Sequence, residues 1–145
     1  MYLLDTNVVS EFRKKDRANP GVQAFFADAR PDDLYLGVQV IGEIQAGIEK
    51  LRLAGSTTKV ALYQAWLEDG LLAHYSQRIL PFDLDAARMW GTLGAGLKHD
   101  PHASDRQMAA IAVLRPGMVM VTRDVDSPGF TSAEPYGLAM LNPFT

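Results

Sequence analysis

The segment Tyr2-Leu3-Leu4-Asp5 is a short apolar run that ends directly at a carboxylate. We predict that residues 2–4 form a buried strand and that residues 7–15 form the helix after it. Residues 34–38 and 118–122 are apolar runs of the same kind, and helical patterns separate them. Strands that alternate with helices predict an α/β fold, in which a mainly parallel central sheet is flanked by helices.

Helices and two further strands fill the remaining sequence. Asn19-Pro20 is a helix-start signal, because asparagine caps a helix and proline suits its first position. Residues 39–53 carry apolar side chains at helical spacing. Ser56 begins a further helix, for which Leu62 and Trp66 are predicted to point inward. The other predicted elements are strands at residues 79–82 and 138–141, helices at residues 84–98 and 104–115, and a loop between residues 124 and 138. The complete sheet then has four to five strands.

Length and composition predict one ordinary domain. The 145 residues are enough for a core but too few for two domains, so residues 1–145 are predicted to form a single domain. The absence of cysteine excludes disulfides, thiolate metal sites and cysteine nucleophiles. The sequence shows neither a secretory signal nor an apolar run of membrane length, so we expect a cytoplasmic protein without a membrane partner.

The formal net charge of −3 is unusual for a nucleic-acid binder, because such proteins normally carry a basic face. Local basicity therefore matters more than the total. The best basic run is Arg13-Lys14-Lys15 with Arg17, which we interpret as a solvated helix end. The three histidines are scattered and are predicted to be surface residues. Trp66 and Trp90 are predicted to be core or dimer contacts rather than base-stacking platforms.

Acidic residues follow the predicted strands near the point where each strand ends. Asp5 comes directly after the first strand, and Asp124 comes just after the strand at residues 118–122. Glu43 lies in the first turns of the helix that follows the second strand. Because the carboxyl ends of parallel strands meet at one edge of a sheet, we expect these three residues to lie close together. Asp105 opens the predicted buried helix, but the long path before it prevents the same argument.

Each of these carboxylates also has an ordinary structural explanation. Asp5 is suited to capping the helix after it, and Glu43 is suited to the positive end of its helix. Asp105 lies in a Ser-Asp-Arg-Gln sequence that matches a capping box, so helix-start chemistry explains much of it. Asp124 fits a turn, and Asp126 competes with it for the same role.

A cluster of carboxylates calls for a cation, because like charges repel and burial of unpaired charge is unfavourable. With oxygen ligands and no thiolates, Mg²⁺ or Mn²⁺ is the expected ion. Such an ion lowers the pKa of a bound water and neutralises charge on a phosphodiester. The cluster therefore predicts phosphodiester hydrolysis that needs no histidine or serine nucleophile.

The sequence resembles the VapC and FitB-like family of PIN-domain proteins over nearly its whole length. Residues 1–11 are similar to the opening of these proteins, residues 34–48 resemble their second motif, and residues 104–112 resemble their third. Shorter matches at residues 78–83, 121–124 and 141–144 complete the set in the right order. The resemblance implies a PIN-like three-layer sandwich.

The resemblance also implies an acidic quartet that binds the metal, formed by Asp5, Glu43, Asp105 and Asp124. Asp5 and Asp105 are implied to be the most secure ligands, and the other two complete the site directly or through water. The implied supporting polar residues are Thr6, Asn7 and Thr122. Relatives often have a different run after the fourth strand, which leaves the choice between Asp124 and Asp126 open.

The implied activity is that of a Mg²⁺- or Mn²⁺-dependent RNA endonuclease, the toxin of a type II toxin–antitoxin system. RNA is then the substrate, and a cognate VapB-like antitoxin is the inhibitor. The resemblance also implies a homodimer. Operator DNA is expected to be a partner only through the antitoxin.

Two other functions remain open. A phosphatase of the haloacid-dehalogenase type also begins with an aspartate at the end of a strand, but its chemistry requires a second acid two residues later, where this chain has Asn7. A non-cleaving PIN-like subunit that acts with an antitoxin on operator DNA is the second alternative. The complete acidic quartet argues against it.

Overall fold

Five parallel strands form the centre of the molecule in a computed structural model, which describes residues 1–145. In chain order they are β1 (Tyr2–Leu4), β2 (Leu34–Gly37), β3 (Ile79–Leu80), β4 (Val119–Val121) and β5 (Ala139–Leu141). Their order across the sheet is β3-β2-β1-β4-β5, and every neighbouring pair is parallel. The predicted α/β class and mainly parallel sheet are confirmed.

Seven α-helices connect the strands and flank the sheet. They are α1 (Thr6–Phe12), α2 (Pro20–Asp28), α3 (Val38–Leu53), α4 (Thr57–Ala65), α5 (Leu84–Leu93), α6 (Ala103–Val113) and α7 (Pro128–Thr131). A π-helical segment, Trp66–Leu72, continues α4, and short 3-10 turns lie at Lys15–Arg17, Pro31–Asp33 and Glu134–Tyr136. None of the helices combines the length and the apolar character that crossing a membrane requires.

The core is built on the central strands. Leu3 and Leu4 of β1 are fully buried, as are Leu36 of β2 and Met120 and Val121 of β4. Successive residues of one strand point to opposite faces of the sheet, so consecutive burial means that both faces are covered. The helix α6 packs into the same core with five consecutive buried residues, 108–112. This confirms the prediction that an apolar helix precedes the fourth strand.

The order of the strands reverses at β1. The chain passes from β1 outward to β2 and β3, and later adds β4 and β5 on the other side of β1. In open parallel sheets, ligands bind beyond the carboxyl ends of the strands at such a switch point. Leu4 is in register with Val121, and the backbone N–H of Asp5 donates to the Val121 carbonyl at 2.9 Å. The residues that follow β1 and β4 therefore begin side by side.

The inward face predicted for the helix after residue 56 is wrong at Leu62 and correct at Trp66, which packs against the core. Leu62 is 60% exposed, because α4 packs against the core through Val60 and Tyr63 on the other side of the helix. Farther along, Leu67 and Leu71 are the buried residues. They lie in the π-helical segment, whose wider turn shifts the face expected for an unbroken α-helix.

Three predicted features of the later chain also differ from the structure. The helix α5 ends at Leu93 rather than at residue 98, since Gly96 follows in the left-handed conformation, with φ of +85°. The helix α6 has His102 at its cap position and no side-chain cap bond, so the capping-box interpretation of Asp105 is wrong. The predicted loop between residues 124 and 138 contains α7 and a 3-10 turn.

Arg13 differs from the solvated helix end that its charge predicts. Its guanidinium lies 4.4 Å from the ring centre of Tyr63 and 5.6 Å from that of Trp66. Its Nη2 also donates to the Tyr63 hydroxyl at 2.9 Å. Lys14, by contrast, is exposed and pairs with Glu11. The contact of Arg13 with two aromatic rings ties the end of α1 to α4 and the segment after it.

Candidate active site

Asp5 is a buried carboxylate at the end of β1, and only 5% of the residue is exposed. Its Oδ1 accepts a 2.7 Å hydrogen bond from the backbone N–H of Thr6 and caps α1. Its Oδ2 accepts a 2.7 Å hydrogen bond from the Thr122 hydroxyl. Asp5 therefore caps α1, as its position before the helix predicted. Its second oxygen faces the crevice between β1 and β4.

Asn7 joins Asp5 to Asp124 across this crevice. Its Nδ2 donates to Asp5 Oδ2 at 3.3 Å and to Asp124 Oδ2 at 3.1 Å. Its Oδ1 accepts from the backbone N–H of Arg123 at 3.2 Å, which fixes which end of the amide is the donor. Two carboxylates that are 119 positions apart in the chain thus share one donor.

Asp124 and Asp126 occupy different positions in this network. The backbone N–H of Asp124 donates to the Thr122 hydroxyl at 3.0 Å, so Asp124 is held through both its backbone and its side chain. Asp126 is exposed in the turn that follows. Of the two candidates, Asp124 is the one that shares hydrogen-bond partners with Asp5.

Glu43 is held at the same edge of the sheet by two hydroxyl groups. The Thr6 hydroxyl donates to its Oε2, and the Ser104 hydroxyl donates to its Oε1 at 2.7 Å. Because α3 begins directly after β2, Glu43 in its second turn remains near the carboxyl end of that strand. Glu43 thereby connects α3 to the starts of α1 and α6.

Asp105 reaches the site through a close contact between α6 and α7. The Ser127 hydroxyl donates to Asp105 Oδ2 at 2.6 Å. A Cβ at Gly129 would lie 2.6 Å from the Cβ of Asp105 and 2.9 Å from the backbone nitrogen of Arg106. Arg106 is itself buried and pairs with Asp100 at 2.7 Å. A glycine and a buried ion pair therefore fix where Asp105 lies.

Burial and like charge raise the pKa of two of the carboxylates. Burial raises the pKa of Asp5 to about 6, and the charges of Asp105 and Glu43 add to the increase. The hydrogen bonds from Thr122 and Thr6 oppose it. Burial also raises the pKa of Asp105, against the Ser127 hydrogen bond. Neither of these two aspartates has a salt-bridge partner, and the ion pair at this edge joins Arg123 to Asp124 at 3.9 Å.

A polar cavity of about 370 Å³ opens between α6 and the loop after β4, with no hydrophobic residue in its lining. Three carboxylates face it together with two basic side chains and a hydroxyl. Its lining residues are His102, Asp105, Arg123, Asp124, Asp126 and Ser127. His102 was predicted to be a surface residue because the histidines are scattered in the sequence. It is nevertheless part of the lining of this cavity. Its position three residues before Asp105, at the start of α6, was the available signal.

The donor chemistry of this edge fits a hard divalent cation. Apart from His102 and Arg123, its polar side chains are carboxylates and hydroxyls with an amide, and such oxygen donors are the usual ligands of Mg²⁺ and Mn²⁺. Each of the four acidic side chains, however, is turned toward a hydroxyl or amide donor. No three acidic or histidine side chains are arranged to hold one ion between them. The quartet is gathered at one edge of the sheet without forming a closed ligand group.

Known proteins resemble this chain over its whole length. The VapC ribonuclease Y4jK of Sinorhizobium fredii is 35% identical over 149 aligned positions, which cover 99% of this chain and 98% of the relative. The crystal structure of FitAcB from Neisseria gonorrhoeae has a TM-score of 0.79 at 30% identity, and covers 99% of this chain and 98% of that one. FitAB bound to an IR36 DNA fragment has a TM-score of 0.78 at 28% identity, with 100% and 96% covered. No family model matches the sequence.

Proposed function

Because this chain belongs to the VapC family of PIN-domain ribonucleases, we propose that it is an RNA endonuclease and the toxin of a type II toxin–antitoxin system. The observation that carries the proposal is the meeting of Asp5 and Asp124 at the switch point of the sheet, where Asn7 donates to both. Glu43 and Asp105 lie at the same edge, and their charges act on Asp5. A phosphodiester is negatively charged like this edge of the sheet, so a cation bound between them is needed to neutralise both.

We propose that Asp5 and Asp105 bind Mg²⁺ or Mn²⁺, and that Glu43 and Asp124 complete the site directly or through water. The support is the carboxylate and hydroxyl oxygens gathered at this edge, the raised pKa of both aspartates and the absence of a salt bridge to either of them. When bound, such an ion lowers the pKa of a water and neutralises charge on the phosphodiester.

The hydroxyl and amide groups around the carboxylates have a positioning task in this proposal. Thr122 and Asn7 hold the orientation of Asp5, and Ser127 holds that of Asp105. Partners of this kind orient metal ligands and tune their basicity. Because they come from separate elements, the fold as a whole keeps the carboxylates near each other against their repulsion.

The direct test is to sequence RNA ends after brief expression of the wild type, Asp5→Asn and Asp28→Asn. Asp28 is an exposed acid at the end of α2 and serves as the matched control. We expect new 5′-phosphate ends at a few sites with the wild type and with Asp28→Asn, and none with Asp5→Asn. Equal cutting by all three proteins removes Asp5 from the reaction, and no cutting by the wild type overturns the proposed activity.

The metal requirement is tested separately with purified protein. We expect a chelator to stop RNA cleavage and added Mn²⁺ or Mg²⁺ to restore it. Calorimetric titration with Mn²⁺ is expected to give binding by the wild type and by Asp28→Asn, and weaker binding by Asp5→Asn and Asp105→Asn. Cleavage that continues in the chelator contradicts the metal proposal while leaving the ribonuclease assignment intact.

We also propose a VapB-like antitoxin as inhibitor, a homodimer as the working assembly, and contact with operator DNA only through the antitoxin. The support is membership of the family and the similarity to FitAB, which was solved bound to a DNA fragment. Co-purification of the chain with the product of a neighbouring small gene, followed by operator binding with and without that partner, tests these points. A protein that leaves RNA intact with Mn²⁺ yet joins such a DNA complex fits the non-cleaving alternative instead.

A further inference from the structure

A groove of about 280 Å³ runs between α1, α3 and α4 and begins at the acidic edge. Thr6 and Glu43, which belong to the candidate active site, line its near end. The side chains of Lys59, Tyr63 and Trp66 form its other wall. A cation and two aromatic rings therefore lie in a groove that is continuous with the acidic edge.

The wall residues share one side of α4 and its continuation. Lys59, Tyr63 and Trp66 are spaced i, i+4 and i+7, which places them on one face of a helix. The rings of Tyr63 and Trp66 meet edge to face, with centroids 6.4 Å apart. Lys59 is exposed and makes no ion pair, so its charge is available to a ligand.

Arg13 supports these rings without entering the groove. It lies 4.4 Å from the ring centre of Tyr63, and it lines the neighbouring cavities rather than this one. The cation–π contact and the hydrogen bond to the Tyr63 hydroxyl restrict the motion of the ring. The aromatic wall is thus fixed in position before any ligand binds, which lowers the entropy lost on binding.

The opposite wall leaves space for a ligand. Gly47 of α3 lines the groove, and a Cβ at this position would have no atom within 4 Å. Gly47 lies one helical turn after Glu43, so the space at Gly47 is adjacent to the carboxylate.

We propose that this groove binds one nucleotide of single-stranded RNA next to the scissile phosphate, a subsite that rests on the proposed ribonuclease function. The base stacks on one ring of the pair Tyr63 and Trp66, whose planes are 73° apart, and Lys59 contacts a backbone phosphate. Stacking of bases on aromatic side chains tolerates all four bases, so the groove supplies affinity and position rather than sequence selection. Trp66 then has a ligand-binding role that its sequence context did not predict.

The first test measures RNA binding in the Asp5→Asn background, in which cleavage is silenced, with and without Tyr63→Leu. The probe is a short single-stranded RNA that carries a site mapped by end sequencing, with an abasic nucleotide at each position flanking the scissile phosphate in turn. We expect one abasic position to weaken binding about tenfold, and this loss to disappear in the Tyr63→Leu protein. An identical loss in both proteins overturns the subsite.

The second test fills the groove and uses a matched control. Gly47→Leu places a side chain in the open space, whereas Gly91→Leu makes the same change at an exposed glycine of α5 that also has open space around it. Both variants gain helix propensity, so neither is expected to unfold more easily than the wild type. We expect Gly47→Leu to cut the mapped RNA at least about tenfold more slowly and Gly91→Leu to cut at the normal rate. Equal rates overturn the subsite.

The third test concerns the phosphate contact. Lys59→Gln is compared with Lys50→Gln, which alters an exposed lysine of α3 outside the groove. Loss of one phosphate contact lowers the slope of log binding constant against log salt by about 0.7 for single strands. We expect this change for Lys59→Gln alone.

The outcomes separate the subsite from the function on which it rests. A wild type that cuts RNA at mapped sites, with groove variants that match their controls, overturns the subsite alone. A wild type that neither binds nor cuts RNA overturns both.

Discussion

Ser127 Oγ lies 2.6 Å from Asp105 Oδ2, and this hydrogen bond joins the turn before α7 to the first turn of α6. The approach depends on Gly129, because any side chain there would overlap the Cβ of Asp105 and the carbonyl oxygen of His102. The buried Arg106 supports the same junction by donating to the Pro128 carbonyl at 3.4 Å. The position of Asp105 is therefore determined by packing between two helices and not by a strand end.

The first prediction concerns Gly129. We expect Gly129→Ala to destabilise the protein by about 1–3 kcal/mol, because the added methyl group meets backbone atoms that have no room to move. The same change is expected to slow RNA cleavage, since it separates Ser127 from Asp105. Urea unfolding measures the first effect and a cleavage assay measures the second. Gly91→Ala, at an exposed helix position with open space, is the control and is expected to be neutral or slightly stabilising.

The second prediction concerns the charge on Asp5. The pKa of Asp5 is about 6 in the folded protein and is expected near 3.9 in the unfolded chain, so ionisation of this group favours unfolding. Any stability linked to this group is complete below pH 4 and is lost as the pH rises through 6. In chelator, Asp5→Asn is therefore expected to be more stable than the wild type by about 1–3 kcal/mol at pH 7.5 and similar to it at pH 4. A variant that is less stable than the wild type at pH 7.5 contradicts the prediction.

The rule that ligand sites lie at the carboxyl ends of parallel strands predicted the site residues that follow strands. Asp5 and Asp124 follow β1 and β4, and Glu43 follows β2 by a short helical path, so period, polarity and the parallel-sheet rule were enough to bring them together. The resemblance added Asp105, whose location depends on a long-range contact at Gly129. This contact is possible because glycine has no side chain. No local sequence pattern predicts it.

The errors in the fold have related causes. Leu62 was expected to be buried because it is apolar and lies in a helix, but helix periodicity does not tell which side of a short helix meets the core. The capping-box pattern before Gln107 matched in sequence, yet Ser104 lies inside α6, where its hydroxyl donates to Glu43. The Ser104 hydroxyl therefore donates to a distant carboxylate instead of accepting from a backbone N–H of its own helix.

The third prediction concerns Asn7, which we interpret as a positioning residue. Asn7→Ala removes the donor shared by Asp5 and Asp124, and is expected to weaken Mn²⁺ binding and to lower kcat/KM for RNA about 10- to 100-fold. Since the residue does not touch the reacting atoms in this interpretation, the lost cleavage is expected to recover in part at high Mn²⁺. A loss of cleavage with unchanged Mn²⁺ binding speaks against it.

Asn7→Asp is a more severe change at the same position and also distinguishes the phosphatase alternative. It replaces a donor with a carboxylate that faces two others, so we expect lower stability in chelator and little RNA cleavage. A haloacid-dehalogenase-like phosphatase, in contrast, requires an acid at this position. Hydrolysis of p-nitrophenyl phosphate by the wild type, with RNA left intact, supports the phosphatase alternative, whereas hydrolysis that appears only in Asn7→Asp contradicts it.

The last prediction chooses between the two acids after β4. Asp124 accepts from Asn7 through its side chain and donates from its backbone to Thr122, so both anchors of Asp5 hold it as well. Asp126 borders the same polar cavity and is exposed, as Asp124 is, but it makes no hydrogen bond to Asn7 or Thr122. Asp124→Asn is expected to reduce cleavage about 100-fold and Asp126→Asn by less than about threefold, because only Asp124 is held beside Asp5 by shared hydrogen-bond partners. Mn²⁺ titrations of both variants distinguish the loss of a metal ligand from misfolding of the loop. If Asp126→Asn reduces cleavage more than Asp124→Asn does, the role belongs to Asp126.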